Sequence, residues 1–476
     1  MILLKYLGSI LKIFSVFFLL PILVALIYKE SILPFIIPFF LSIIAGFLLS
    51  SNRTENIKIS LETLTFTEGI ILTAIAFLAL SLISLIPFLF VFSGNISSII
   101  LNSFFEATSG ITTTGLTVIE DLTIIPKSIL FWRSETQWIG GIGIILMVLF
   151  IIYRLQQKEA SEGKAEKDIQ SSVMLYNVTL PEKLEPSLQK TAFSITKIYS
   201  VYTILGIILL FVVGLPFFDA ITTTFTSIST GGFVVKNDFY TKPLQLIIIG
   251  FLMVIGATSF LRHNELFKKR FKEFFSNIEL KLFLIFIIIG ISISLLVFKD
   301  LRIIAFQLIS ASTTTGYSIA DINMLPPLLI FLICLGMIVG GQIGSTAGGV
   351  KLYRSLIGIK SISWFIKKLA SPKDAVIPFK INKKPMEESV ILSTHILIAS
   401  YLLFLIIGTA IFLVIGYSLL DSSFQVISAL GTVGMQSMSL SAIHFLGKFV
   451  LICAMLLGRL EIFPFMVLFN KLLRKS

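Results

Sequence analysis

Ten long, predominantly apolar runs divide this sequence: Leu11–Tyr28, Leu33–Leu49, Phe66–Phe92, Ile129–Tyr153, Phe193–Val213, Leu244–Leu261, Leu282–Phe298, Leu328–Val350, Val390–Ile415 and Phe445–Phe469. A helix needs about 20 apolar residues to cross the hydrocarbon of a bilayer, so ten full membrane spans are expected. Composition agrees: 56% of the 476 residues are hydrophobic and 13% charged, against roughly 25% charged in soluble domains. A water-soluble enzyme of this size could not cover its surface with so few charges. The apolar run after Lys12 lacks a small-residue cleavage site and is followed by further runs, so it reads as a membrane helix rather than a signal peptide. Cys334 and Cys453 sit inside apolar runs, and His263, His395 and His444 are scattered. Neither a disulfide framework nor a metal cluster is expected from them.

Charge orients the spans. Lys and Arg number 38 against 26 Asp and Glu, a net charge of +12. Such a balance can serve nucleic acid, but in so apolar a chain it reads as cytoplasmic loops, and no nucleic-acid partner is expected. The cations gather in 154–190, 262–281 and 351–389, and in a tail that carries Lys471, Arg474 and Lys475. None occurs from Ser93 to Pro126 or from Tyr417 to Gly447. The positive-inside tendency then puts the basic loops and both termini in the cytoplasm of a multi-pass plasma-membrane protein.

Between the long runs lie four short Ser/Thr/Gly-rich segments, and they repeat. Phe105–Gly115, Phe306–Gly316 and Phe424–Gly434 align without a gap, and Thr222–Gly232 fits the same frame. Two residues before each final glycine stands a threonine: Thr113, Thr230, Thr314 and Thr432. A large apolar residue follows each glycine: Leu116, Phe233, Tyr317 and Met435. Asn102, Asp219 and Asp421, thirteen residues before the glycine, are expected N-caps, with Asp300 one turn earlier in the third copy. Each copy then reads as a half-helix about 16 Å long, leading into an extended Thr-x-Gly strand. Four span–half-helix–span units would surround one axis with pseudo-fourfold symmetry. Extended backbone at membrane depth is tolerated where it is buried or lines a water-filled path. Its carbonyls can replace the hydration shell of a monovalent cation. A single Ser/Thr/Gly cluster would more simply be a helix-packing surface; four in one frame favour a pore.

These segments resemble the filter loops of the Trk/Ktr/HKT superfamily of potassium transporters. Phe131–Gly143, Gly340–Lys351 and Gly458–Phe463 are also similar to that family, and the two additional N-terminal spans match its TrkH-type branch. The resemblance implies an all-α integral membrane fold: two extra helices in 1–51, then pore units in 52–160, 161–265, 266–365 and 366–476. It implies potassium uptake, with K+ as the transported ion, no organic cofactor and no enzyme activity. The filter backbone would be Thr112, Thr113, Thr114 and Gly115; Ser229, Thr230, Gly231 and Gly232; Thr313, Thr314, Thr315 and Gly316; and Gly431, Thr432, Val433 and Gly434. The gate would comprise Gly340, Gly341, Gln342, Gly344, Gly348 and Gly349 as an intramembrane loop, with Arg459 beneath the filter. A homodimer and a cytosolic, TrkA-like nucleotide-binding ring are the implied partners, the ring meeting the basic loops.

The residues themselves leave other readings open. Gly340, Gly344 and Gly348 are spaced as a helix-packing face, yet so many glycines weaken a helix. Arg459 lies deep in its run, where arginine costs roughly 2.5–3.5 kcal/mol, and Glu461 is too near in sequence to share its helix face. Arg133 and Glu135 are expected to pair structurally with neighbouring units, and Trp132, Trp138 and His395 to be packed. No nucleophile–base pair, paired carboxylate or phosphate-cradling loop is visible. An alternating-access, ion-coupled transporter is the rival class, and it predicts inverted repeats and a midplane ionisable site.

Overall fold

The apolar runs fold as helices. The computed structural model describes residues 2–50, 66–161, 188–372, 375, 377–382 and 384–473. At the N-terminus, α1 (Ile2–Ser15) and α2 (Leu19–Tyr28), joined by a 3-10 turn, pack on α3 (Leu33–Ser50). Long α4 (Phe66–Ser84), short α5 (Ile96–Ile111) and long α6 (Lys127–Ser161) follow. The same order recurs with α7 (Leu188–Val212), short α8 (Phe217–Ile228) and α9 (Pro243–Ala257), which breaks into α10 (Phe260–Phe267) and is followed by α11 (Phe271–Ser276). It recurs again with α12 (Ile278–Ser294), short α13 (Leu301–Ser312) and α14 (Pro327–Val339), then α15 (Leu352–Leu369) beyond a non-helical stretch. A small antiparallel hairpin, β1 (Lys380–Ile381) and β2 (Lys384–Pro385), is the one strand pair among the described residues. The last repetition is α16 (Glu388–Ile415), short α17 (Leu419–Leu430) and α18 (Phe445–Arg459), which breaks into α19 (Phe463–Leu473).

Ten unbroken spans are not what forms. Five helices among the described residues are long and apolar enough to cross a membrane, or seven if each bent pair counts as one. The expected span Leu244–Leu261 stops at Ala257, where Thr258 is extended, and α10 leaves at 107°. Phe445–Phe469 bends by 106°, because Glu461 (φ 58°) and Ile462 (φ 67°) are consecutive left-handed residues. Leu328–Val350 ends as helix at Val339, and Gly340, Gly344 and Gly349 take positive φ. The glycines therefore do not form a helix-packing stripe. Hydropathy cannot distinguish a continuous apolar helix from a broken one.

Three of the four short helices start earlier than expected. Asp300 does cap α13, accepting Arg302 N and Ile303 N. In the second and fourth copies the caps are Pro216 and Ser418, at the position matching Asp300, so Asp219 and Asp421 lie in the first turn instead. Both carboxylates still face the positive end of the helix dipole there. The cap of α5 is Asn95, which leaves Asn102 mid-helix, accepting from Lys448 Nζ at 2.9 Å. Three of the short helices are 12 residues long, about 18 Å at 1.5 Å per residue.

The N-terminal helices are anchored to α6. Trp132 stacks on Phe18 at 4.5 Å and meets Phe14 and Phe35, while Glu30 accepts Lys127 N and Ser128 N at 2.7 and 2.8 Å. A carboxylate from the loop between α2 and α3 thus satisfies two of the free amides at the start of α6. Of the basic loops, Lys164, Lys167 and Lys183 lie outside the described residues, as do Arg474 and Lys475.

Candidate functional site

All four short helices end in the same way. Thr113, Thr230, Thr314 and Thr432 have φ of 53, 52, 54 and 48°. Their amides bond to Gly110, Ser227, Ala311 and Ala429 O, and the next amide bonds to Ser109, Thr226, Ser310 and Ser428 O. This is the Schellman termination, with threonine where glycine is usual, at a cost of order 1–3 kcal/mol for each left-handed residue. Two residues on, Gly115, Gly232, Gly316 and Gly434 also have positive φ, between 78 and 97°. Gly232, rather than Gly231, therefore occupies the repeated position.

The glycines meet the neighbouring segments. A Cβ on Gly115 would run into Gly231 O, on Gly232 into Thr315 O, on Gly316 into Val433 O, and on Gly434 into Thr114 O. The approaches pass from the first segment to the second, third and fourth and return to the first, so the four strands close a ring. The spans behind come equally near: Gly140, Gly256 and Gly458 leave no room for a Cβ against Ile111, Ile228 and Leu430 O. Glycine is required at these positions because backbone occupies the side-chain space.

Side chains brace the ring from outside. Gln137 Nε2 donates to Gly231 O at 2.7 Å, and its Oε1 accepts Phe233 N at 3.0 Å. Tyr317 OH lies against Thr226 Oγ1 and donates to Thr223 O at 3.3 Å. Arg133 pairs with Glu106 at 3.2 Å, donates to Val234 O and Thr117 Oγ1, and covers the Phe233 ring. Glu135 takes no part, for among the described residues neither of its buried oxygens has a hydrogen-bond partner. Trp132 and Trp138 are packing aromatics, and His395 bonds to Ser361 and Ile391 O. Beyond the ring, Asn323 donates to Ser437 O and Gln436 to Thr117 O, while Glu120 accepts from Ser439 and Ser441. Those hydrogen bonds, from Ser441 and then Ser439, hold the Glu120 carboxyl below its ordinary range.

The stretch 340–351 is fastened beside the ring. Gln342 N and Thr346 N bond to Ala257 and Gly256 O, carbonyls that the break after α9 frees. Gly348 N bonds to Thr314 Oγ1 at 2.7 Å, and Thr230 Oγ1 meets Thr346 Oγ1 at 3.2 Å. Two threonines of the repeated segments are thus tied to this stretch, while the hydroxyls of Thr113 and Thr432 have no hydrogen-bond partner among the described residues. Arg459, 4% exposed, donates to Thr346 O and to Gly140 O, the latter at 2.9 Å. Glu461 turns away to pair with Arg354. Lys351 and Arg354 are buried, so they cannot belong to an exposed basic surface; Lys351 Nζ donates to Ala347 O. A 70 Å³ cavity here is lined by Ser345, Lys351, Arg354, Arg459 and Glu461, among others.

The repeated segments, the glycine stretch and Arg459 are therefore neighbours. Sequence reasoning missed Gln137, Tyr317 and Glu106 as partners of the ring. Gln137 did carry a signal, being an uncharged polar residue inside an apolar run.

The family model for TrkH, a cation transport protein, matches residues 33–305 and 300–476. The chain is 34% identical to an uncharacterized cation transporter of Methanocaldococcus jannaschii, covering 99% of this chain and 96% of that one. It is 28% identical to the Trk system potassium uptake protein TrkH of Escherichia coli, covering 98% and 97%. The crystal structure of the potassium transporter TrkH from Vibrio parahaemolyticus is similar with a TM-score of 0.83 at 26% identity, over 98% of this chain and 97% of that one.

Proposed function

This chain belongs to the TrkH family of cation transport proteins, and from that premise we propose that it takes up potassium through a channel-like filter. It is a multi-pass membrane protein and not an enzyme. In this reading the four repeated segments are one selectivity filter with pseudo-fourfold symmetry, and the unit boundaries are those given by the sequence. The observation that carries it is the closed ring of glycine–carbonyl approaches. Backbone oxygens are suited to a dehydrated potassium ion, and the short helices direct their negative C-terminal ends toward the same place.

Stretch 340–349 and Arg459 form the gate. The support is their shared hydrogen bond at Thr346 O and the two ties from the stretch to filter threonines. A guanidinium beside the path opposes cation passage until the loop moves. Relatives named as Trk system proteins suggest a TrkA-like cytosolic ring as regulator, and exposed Lys268, Lys269 and Lys272 offer it a basic surface. A homodimer and cytoplasmic termini complete the proposal.

Rubidium flux into liposomes containing the purified protein tests it. Uptake should be displaced by potassium and not by sodium, and should proceed without a sodium gradient. Uptake that requires an imposed sodium gradient would favour coupled transport; absence of rubidium flux at any gradient would overturn the potassium reading.

A further inference from the structure

Gln137 is fully buried on α6 and uses both ends of its amide on the second filter segment. The oxygen it holds, Gly231 O, is also the one that abuts Gly115. The corresponding oxygens of the ring belong to Thr114, Thr315 and Val433. Among the described residues no donor reaches those three. One carbonyl in four therefore carries a side-chain amide donor, and the ring is chemically unequal.

The same contact accounts for a departure of the second segment from its sisters beside the repeated glycine. Where they have Thr114, Thr315 and Val433, it has Gly231. A Cβ at that position would fall on the Gln137 side chain, with Cδ the nearest atom. The double glycine is thus complementary to the amide, and the two residues form one device.

We propose that Gln137 is a specificity-determining residue, which acts by positioning the Gly231 carbonyl. The inference rests on the filter reading of the four segments. Selectivity among monovalent cations depends on the number, field strength and freedom of the coordinating carbonyls. The Nε2–H donor places positive partial charge beside Gly231 O, weakening the field it presents to an ion. It also anchors that oxygen so that it cannot close in around a smaller one. Both effects disfavour sodium relative to potassium, and both vanish when the donor is removed.

The test uses the full-length protein in liposomes and reads relative permeability from reversal potentials. Gln137→Met keeps the volume and removes both hydrogen bonds; Gln137→Asn keeps the amide but is one methylene too short. Each should raise sodium permeability relative to potassium roughly three- to tenfold, the weight of about one hydrogen bond. Gly231→Thr alone should abolish flux, and Gly231→Thr with Gln137→Gly should recover it, because the new side chain would meet Gln137 along its length, down to a Cβ 2.9 Å away, and the glycine removes all of it. A merely structural glutamine would lower the amount of folded protein and leave the permeability ratio unchanged. A wild-type ratio in whichever Gln137 variant conducts, or no recovery in the double variant, overturns the proposal. Failure of the filter reading would appear separately, as wild-type protein that does not select potassium at all.

Discussion

At the scale of single residues, Gly232 and Arg459 make opposite demands on the pathway. Gly232 has φ 78°, and its Cβ position is filled by Thr315 O. Gly232→Ser must therefore displace a neighbouring carbonyl, and we expect sodium permeability to rise relative to potassium. Reversal potentials unchanged by that substitution would remove Gly232 from the filter. Gly231→Ser meets Gln137 instead of a carbonyl, so its effect should be relieved by Gln137→Gly while that of Gly232→Ser should not. Arg459 keeps its charge at any relevant pH, and its two acceptors are backbone oxygens. Arg459→Ala should conduct faster per folded molecule, and Arg459→Lys should stay near wild type. Slower rubidium uptake by Arg459→Ala would return the residue to a packing role. Sodium exclusion should change little in either variant, because the proposed filter places selection at the glycines.

At the scale of elements, the stretch between α14 and α15 is held by groups from elsewhere. Its amides bond to the freed carbonyls of α9, to Thr314 Oγ1 and, through Ile343 N, to Glu279 Oε1. Non-helical backbone at membrane depth survives only with such partners. Each hydrogen bond contributes about 0.5–1.5 kcal/mol net, so the loop can move without the fold being lost. Deleting Ile343–Ala347 should raise rubidium flux in the absence of any cytosolic partner. Unchanged or abolished flux from a well-folded sample would favour a packing role for this stretch. Thr346→Val removes the hydroxyl that reaches Ile228 O and Gly256 O at 3.0 and 2.9 Å, and should give a smaller increase of the same sign.

At the scale of the whole molecule, the proposed orientation rests on the distribution of charge. The loops beyond the glycine ring are tied to one another by Asn323, Gln436 and Glu120, and they carry few cations. The Glu120 tie belongs to the carboxylate. It is complete above the ordinary carboxyl range and is lost only as pH falls through the lowered value. With Cys334 and Cys453 replaced, single cysteines at Ser439 and Lys268, both exposed, should behave oppositely in intact cells. An impermeant maleimide should label Ser439→Cys and spare Lys268→Cys. The reverse pattern would invert the proposed topology and place the basic loops outside.

The amino-acid sequence by itself determined the membrane setting, the helical class, the fourfold repeat and the threonine–glycine chemistry of each copy. Those properties are local: apolar run length, residue spacing and the need for glycine where φ is positive can all be read along one stretch of chain. The repeat frame of the second segment, with Thr230 before and Phe233 after, already favours Gly232 over its neighbour Gly231, but what each glycine makes room for, Thr315 O for Gly232 and Gln137 for Gly231, was not local. Nor were the breaks after Ala257 and Val339, for an apolar run has the same hydropathy whether it continues or stops. What permits a stop is a donor or acceptor supplied from far away in sequence, as Thr346 N supplies Gly256 O and Gln342 N supplies Ala257 O. The left-handed pair Glu461 and Ile462 has no glycine to announce it; Arg354, more than a hundred residues earlier, pairs with Glu461 there. Tertiary structure decided these points because buried polar backbone is stable only where its partners arrive, and their arrival depends on how the four segments close on one another.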